Sequence, residues 1–202
     1  MIITLLGPHA AGKTTLGRAL VDATGWTFHD EIGKHLASDS THRPPGVGPA
    51  DPQREFDLEV FAREVARDLA FAAEAPDRIR IVETWHPGNL AYALLRSTDV
   101  AAAVFPYVRT AIDWSRVVVV PVTAQRETLE RRKSYPEPLS YFLEVAATSL
   151  AIARAGGAMA VRPVCTDHAS PEQLVTRLVP RLEGMARHVR SLPPAPRPVA
   201  LA

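Results

Sequence analysis

The stretch Gly7-Pro8-His9-Ala10-Ala11-Gly12-Lys13-Thr14 has the spacing G-x-x-x-x-G-K-[ST]. That spacing suits the holding of a row of phosphates. A triphosphate needs several donors converging on one hollow. A loop bent at glycines turns consecutive backbone N–H groups inward, and the start of the following helix adds its dipole. Gly7 and Gly12 supply backbone angles that a side chain disfavours. Lys13 is placed to reach the beta- and gamma-phosphates, and the Thr14 hydroxyl to help hold Mg2+. His9, Ala10, Ala11 and Thr15 complete the expected nucleotide contacts.

Other reactive residues stand just after short apolar runs. Asp30-Glu31 follows Trp26-Thr27-Phe28-His29. Moving a phosphoryl group onto a hydroxyl needs a carboxylate that orients the hydroxyl and accepts its proton. Glu31 is the first choice and Asp30 the second; the alternative is that one of them only caps a helix at Ile32. Glu83 ends Ile79-Arg80-Ile81-Val82, the place for a carboxylate that holds Mg2+, commonly through water, or else for a solvated strand-end charge. Trp85 either stacks on a flat substrate ring or packs under the lid. His86 is a weaker ligand or base candidate, and Asn89 lies in the same stretch. Arg131 or Arg132, after the valine run 117–120, can stabilise charge on the transferring oxygens from a closing segment; the alternative is a solvated helix face. Asp167 sits in the loop Cys165-Thr166-Asp167-His168-Ala169, expected beside the phosphate loop and around an adenine.

These residues need a scaffold. Residues 1–6 are apolar and β-prone, and the helix from Lys13 to about Thr24 puts Leu16 and Leu20 on one face before Gly25 ends it. Strands are expected at 26–28, 78–82, 117–120 and 161–164. Residues 38–50 are rich in Ser, Pro and Gly and are expected to form a mobile loop over a substrate site. Asp51-Pro52 starts a helix to about Glu74, with Leu58, Phe61, Val65, Leu69 and Ala72 inward, and Pro76-Asp77 breaks it. Residues 84–89 read as a loop, followed by helical pieces near 89–96 and 99–113, with a kink at Pro106. Thr123 is the expected cap of a short basic helix, and Tyr135-Pro136-Glu137-Pro138 makes 126–140 a lid with its hinge. A helix from about Leu139 to Ala155 ends at Gly156-Gly157. Ser170-Pro171-Glu172-Gln173 has capping-box form and opens the last helix. Residues 1–190 form one domain, and the proline-rich tail 191–202 is expected to be unstructured. Five strands alternating with helices predict a three-layer α/β fold with a five-stranded parallel sheet, and ligands bind outside the carboxyl ends of such strands.

Composition narrows the partners. In 202 residues, 47% are hydrophobic and 22% charged, with a net charge of +1. That is core enough for one domain and no field that favours nucleic acid or an anionic membrane; nucleic acid is disfavoured without being ruled out. The single cysteine, Cys165, forms no internal disulfide and suits a reducing cytoplasm. No signal peptide and no membrane span are expected. Oligomeric state, a homodimer included, stays open.

The order of these motifs resembles the P-loop kinases of nucleosides and nucleotides over about residues 1–190. The resemblance rests on the phosphate loop (Walker A) at 7–15, on Asp30-Glu31, on Val119-Val120-Pro121-Val122-Thr123 with Leu129-Glu130-Arg131-Arg132, and on Asp167 with Ser170-Pro171-Glu172-Gln173-Leu174-Val175. The last of these is similar to thymidylate kinase-like proteins. The resemblance implies ATP as donor, Mg2+ as cofactor and a nucleoside- or nucleotide-like small molecule as acceptor. One departure bears on that acceptor: deoxynucleoside kinases carry Glu-Arg-Ser after the third strand, where this chain has Glu83-Thr84-Trp85. Two other readings share the phosphate loop. One is a kinase of polynucleotides or of hydroxymethylated bases. The other is an ATPase switch without an acceptor.

Overall fold

The computed structural model describes residues 1–39, 52–74 and 78–193. The loop expected at 38–50 lies almost wholly outside these residues; Asp51, the break at Pro76-Asp77 and the tail beyond Pro193 lie entirely outside them. β1 (Ile2–Leu6) is the central strand. It pairs in parallel with β3 (Arg80–Glu83) on one side and β4 (Val117–Thr123) on the other, with Leu5 opposite both Glu83 and Val120. β2 (Thr27–His29) extends the sheet beyond β3, and β5 (Met159–Ala160) and β6 (Val164–Cys165) both pair with β4, so the order is β2-β3-β1-β4-β5 with β6 beside β4.

The sheet therefore has six strands, not the five expected. The stretch read as one strand at 161–164 is two short pieces around Pro163. Proline has no N–H for the ladder. The register also slips there by one residue: Val118 faces Met159, whereas Val122 faces Val164.

The valine run of β4 suits a strand covered on both faces. Val118, Val120 and Val122 join Ile3, Leu5 and Ile81 in a core under α1 (Lys13–Thr24) and α8 (Pro171–Ser191). Val117 and Val119 join Leu6 and Val82 in a second core under α4 (Trp85–Arg96), α5 (Thr98–Thr110) and α7 (Leu139–Gly156). The valines go alternately to the two cores because side chains alternate across the sheet, and residues 117–122 are all buried. α2 (Ile32–Asp39), α3 (Pro52–Ala73) and α6 (Arg126–Arg132) complete the three layers. The capping box at Ser170 forms, with Ser170 Oγ and Gln173 each closing on the other's backbone N–H. Gly25 and Gly157 end their helices in left-handed conformation.

Three local expectations change. Residues 84–89 are not a loop: α4 begins at Trp85. Pro87 falls in the first turn, where an N–H has no helical partner anyway. β4 runs on through Thr123, so α6 is capped by Gln125 instead of Thr123. α3 presents Asp57, Val60, Glu64 and Phe71 inward, while Leu69 is 66% exposed. Its apolar periodicity yields because the buried carboxylates have partners on neighbouring elements, described next.

Candidate active site

Gly7 is held against β4; a Cβ there would lie 2.0 Å from the Val122 carbonyl oxygen. The loop then turns through Ala10 (φ 64°) and Gly12 (φ 88°), both left-handed, so that α1 starts directly behind it. His9, Ala10, Gly12, Lys13, Thr14 and Thr15 line a cavity of about 470 Å³, whereas Gly7 and Ala11 are not among its lining residues. Arg132, Thr166 and Ala169 close its other side. Thr166, in the loop expected beside the phosphate loop but given no role of its own, ties the β6–α8 loop to it: its hydroxyl donates to Ala11 O at 3.0 Å. Lys13 Nζ rests on the carbonyls of Gly7 and Pro8, each at 3.1 Å. Burial holds its ammonium below the ordinary lysine range, partly offset by Glu31 and Glu83.

Glu83 leaves β3 into a turn where Thr84 (φ 67°) and Trp85 (φ 51°) are both left-handed. A β-branched and a bulky residue are strained there. The turn aims the carboxylate, only 1% exposed, at the phosphate loop. Thr14 Oγ1 donates to Glu83 Oε2 at 2.7 Å. A hydroxyl and a carboxylate in contact are oxygen donors of the kind Mg2+ takes. A positive group already lies against both: Lys34 Nζ is 2.5 Å from Glu83 Oε1 and 3.1 Å from Thr14 Oγ1. The donor set therefore fits a cation, and Thr14 and Glu83 are the residues that would hold Mg2+.

A second cavity, about 370 Å³, opens beside the first and shares His9 and Lys34 with it. Glu31 stands at their junction, its Oε2 3.6 Å from Lys34 Nζ. Phe56, Tyr92, Tyr135, Tyr141 and Phe142 give the cavity aromatic walls, and Gln53, Asn89 and an Asp57–Arg96 pair give it polar ones. Arg96 grips Asp57 through Nη2 at 2.6 Å and Nε at 3.2 Å, and its guanidinium lies over the Tyr92 ring at 4.8 Å. Burial, with Glu31 nearby, pushes the Tyr92 hydroxyl far above its ordinary range, so it stays a neutral donor.

Other candidates fall elsewhere. Asp30 lines neither cavity; its carboxylate faces Arg18 and His35. Trp85 and His86, 1% and 0% exposed, are interior residues and not cavity walls. Both are held by Asp68, through Trp85 Nε1 at 3.1 Å and His86 Nε2 at 2.7 Å, because the helical start at Trp85 turns them under the sheet. Of the two arginines at the end of α6, Arg132 faces the phosphate-loop cavity and Arg131 does not. The Asp167 carboxylate accepts the Gln125 N–H and so caps α6; in the first cavity the same loop is represented by Thr166 and Ala169. Sequence reading also missed Lys34 and the Asp57–Arg96 pair. Lys34 is three residues past Glu31 on a helix, a spacing that puts two side chains on one face. Asp57 and Arg96 are brought together only by the packing of α3 on α4.

No family model matches the chain. A cytidylate kinase of Methylococcus capsulatus is 29% identical over 113 residues, 55% of this chain and 48% of that protein. The chain thus spans about half the length of the curated relative it matches. Two solved structures superpose almost throughout. Thymidylate kinase from Candida albicans does so with a TM-score of 0.65 at 12% identity, over 96% of this chain and 95% of that one. Deoxyadenosine kinase from M. mycoides does so at 0.59 and 11%, over 91% and 100%. The fold is that of the P-loop nucleoside and nucleotide kinases. It is the three-layer α/β arrangement expected, and no described helix is long and apolar enough to cross a membrane.

Proposed function

We propose that this P-loop kinase fold is an ATP- and Mg2+-dependent kinase that transfers the terminal phosphoryl group to a hydroxyl of a small, flat-ringed acceptor, a nucleoside or an analogue. One observation carries the reading. The phosphate-loop cavity and the aromatic cavity meet at Glu31 and Lys34, so a carboxylate stands where a donor phosphate and an acceptor hydroxyl would face each other. An ATPase without an acceptor has no use for the second cavity.

The roles follow from the chemistry. Lys13 and the backbone of the phosphate loop hold the phosphate oxygens, and Thr14 and Glu83 hold the metal, which offsets charge on those oxygens when bound. The acceptor oxygen attacks the gamma-phosphorus, the bond to the oxygen bridging to the beta-phosphorus breaks, ADP leaves, and the hydroxyl proton passes to Glu31. Arg132 neutralises charge on the phosphates. The aromatic walls hold a ring, and Gln53 with the Asp57–Arg96 pair reads its polar edge. Among the described residues the cavity's charged lining is three carboxylates, Glu31, Asp57 and Glu137, against Lys34 and Arg96, both already engaged. That balance favours an uncharged acceptor over a phosphorylated one.

The test is ADP release from Mg-ATP with a panel of nucleosides, nucleoside monophosphates, sugar alcohols and oligonucleotides. A nucleoside-class compound is expected to raise turnover, oligonucleotides not to compete with it, Glu31→Gln to lower kcat by about 10²–10⁴-fold, and Lys13→Ala to abolish it. Failure of every acceptor to exceed the acceptor-free rate would overturn the reading. Preference for a monophosphate, as the likeness to a cytidylate kinase allows, would overturn only the uncharged class.

A further inference from the structure

The cation between Thr14 and Glu83 belongs to the chain itself. Lys34 Nζ lies 2.5 Å from Glu83 Oε1, 3.1 Å from Thr14 Oγ1 and 3.6 Å from Glu31 Oε2, and its side chain lines both cavities. The next described cation, Lys13, is 3.9 Å from the same Glu83 oxygen. Burial disfavours charge on Lys34, but Glu31 and Glu83 more than offset that, so it is held protonated above its ordinary range. An ammonium and a divalent cation cannot share one carboxylate oxygen and one hydroxyl at these distances, because their mutual repulsion in a half-buried site is large.

We propose that Lys34 is a catalytic residue with two positions: it occupies the metal's place between Thr14 and Glu83 until the metal binds, and is then displaced toward Glu31, where its ammonium donates to the phosphoryl group in transit between the two cavities. The proposal rests on the kinase reading for its second position and on geometry alone for its first.

Both positions lie within reach of one side chain. Lys34 sits in the first turn of α2, one helical turn after Glu31, and the two share a face. Leaving Glu83 costs Lys34 one carboxylate partner, while Glu31 keeps it on the acceptor side. That is the junction of the two cavities, where negative charge develops on the transferring oxygens. Lys34 stays protonated throughout; the hydroxyl proton goes to Glu31 and the bond pair to ADP. The arrangement also has a consequence for order. While Lys34 lies against Glu83 and Thr14, its ammonium is withheld from the acceptor side. Metal loading would then prepare the acceptor side as well as the donor side, and acceptor phosphorylation would require the metal for two separate reasons.

The experiment reads the two positions separately. Mn2+ is titrated into the nucleotide-free protein and followed by the loss of the free-ion paramagnetic resonance signal. Lys34→Met keeps the length of the side chain and removes its charge. It is expected to bind Mn2+ on the order of ten-fold more tightly than wild type, whereas Lys34→Arg, which keeps the charge, is expected to bind it as weakly as wild type. With saturating Mg-ATP and acceptor, Lys34→Met is expected to lose about 10²–10³-fold in kcat with little change in KM for ATP. Melting curves of both variants accompany these measurements, and the comparison with Lys34→Arg guards against a misfolded Lys34→Met. Equal Mn2+ affinity in wild type and Lys34→Met, or tighter binding in Lys34→Arg as well, overturns the first position. An unchanged kcat in Lys34→Met overturns the second. The Mn2+ arm needs neither ATP nor acceptor. Failure of the kinase reading appears instead as wild-type turnover that no acceptor stimulates.

Discussion

His9 shows how one residue joins the two cavities. Its ring meets Tyr135 edge-on at 4.3 Å and Phe142 at 5.5 Å, so it fastens the phosphate loop to the aromatic wall. Burial first, then Lys13 and Lys34, lower its pKa from 6.5 to about 4. The ring is therefore neutral at pH 7, and it adds no charge to the cavity that it shares with Lys13 and Lys34. The shift has a stability consequence of definite sign. Between pH 6.5 and about 4 the unfolded chain takes up a proton on His9 that the folded chain refuses. Stability attributable to His9 is thus intact above pH 6.5 and lost as pH falls through that window. His9→Phe keeps the aromatic contacts and cannot titrate. The melting temperature of wild type minus that of His9→Phe should be lower at pH 5 than at pH 7, and a difference independent of pH would sink the assignment. The phosphate loop around His9 was legible because its eight residues are consecutive and their spacing is itself the signal. Lys34 was not, because a lysine on an amphipathic helix also reads as a solvated charge until Glu83, 49 residues away, is placed beside it.

At the scale of elements, α3 is where sequence and structure part most. Its leucines and valines suggest an apolar stripe, yet its buried side carries Asp57 and Glu64. Glu64 is 1% exposed, and burial raises its pKa despite Arg67 beside it. Arg67 Nη2 donates to Glu64 Oε2, and Arg67 Nη1 reaches the Asp30 carbonyl at 3.2 Å. On the other side Asn89 Nδ2 donates to Glu64 Oε1 at 3.1 Å. The pair thus ties the turn that carries Glu31 to the cavity wall at Asn89. Removing one partner leaves a buried charge uncompensated, which costs about 3–5 kcal/mol, whereas replacing both by apolar groups is often close to neutral. Arg67→Met should lower unfolding stability in urea by about that amount, and the double variant Arg67→Met with Glu64→Met should recover most of it. A double variant as unstable as the single one would show that the pair matters for packing volume and not for charge. Elements built from local signals, such as the capping box of α8 and the glycine stop of α1, could be read directly. The inward face of α3 depends on residues 25 and 39 positions away on α4, and no local periodicity records that. The start of α4 hides for a related reason, since Trp-His-Pro-Gly-Asn is turn chemistry unless the strained pair Thr84 and Trp85 has already set the direction of the chain.

For the whole molecule, the parallel sheet brings the ends of β1, β3, β4 and β6 to one edge, so the phosphate-loop cavity draws residues from segments more than 150 positions apart. A ligand there would bridge the phosphate loop, the end of α6 and the β6–α8 loop, and would bind the folded chain alone. Mg-ADP at about 100 times its Kd should then stabilise the fold by about 2.7 kcal/mol, which for a chain of this size raises the melting temperature by roughly 5–10 °C. Thermal scans with and without Mg-ADP check this, and Lys13→Ala should remove the shift. The same scans separate the two arginines at the end of α6. Arg132 lines the cavity and Arg131 does not, so Arg132→Ala should diminish the shift and Arg131→Ala should leave it near that of wild type. Both are exposed, so neither substitution should alter the stability of the nucleotide-free protein by more than the few tenths of a kcal/mol usual for surface changes. Equal loss in the two variants would mean that α6 meets the nucleotide through its general charge and not through one guanidinium, and the role given to Arg132 in neutralising the phosphates would fall with it.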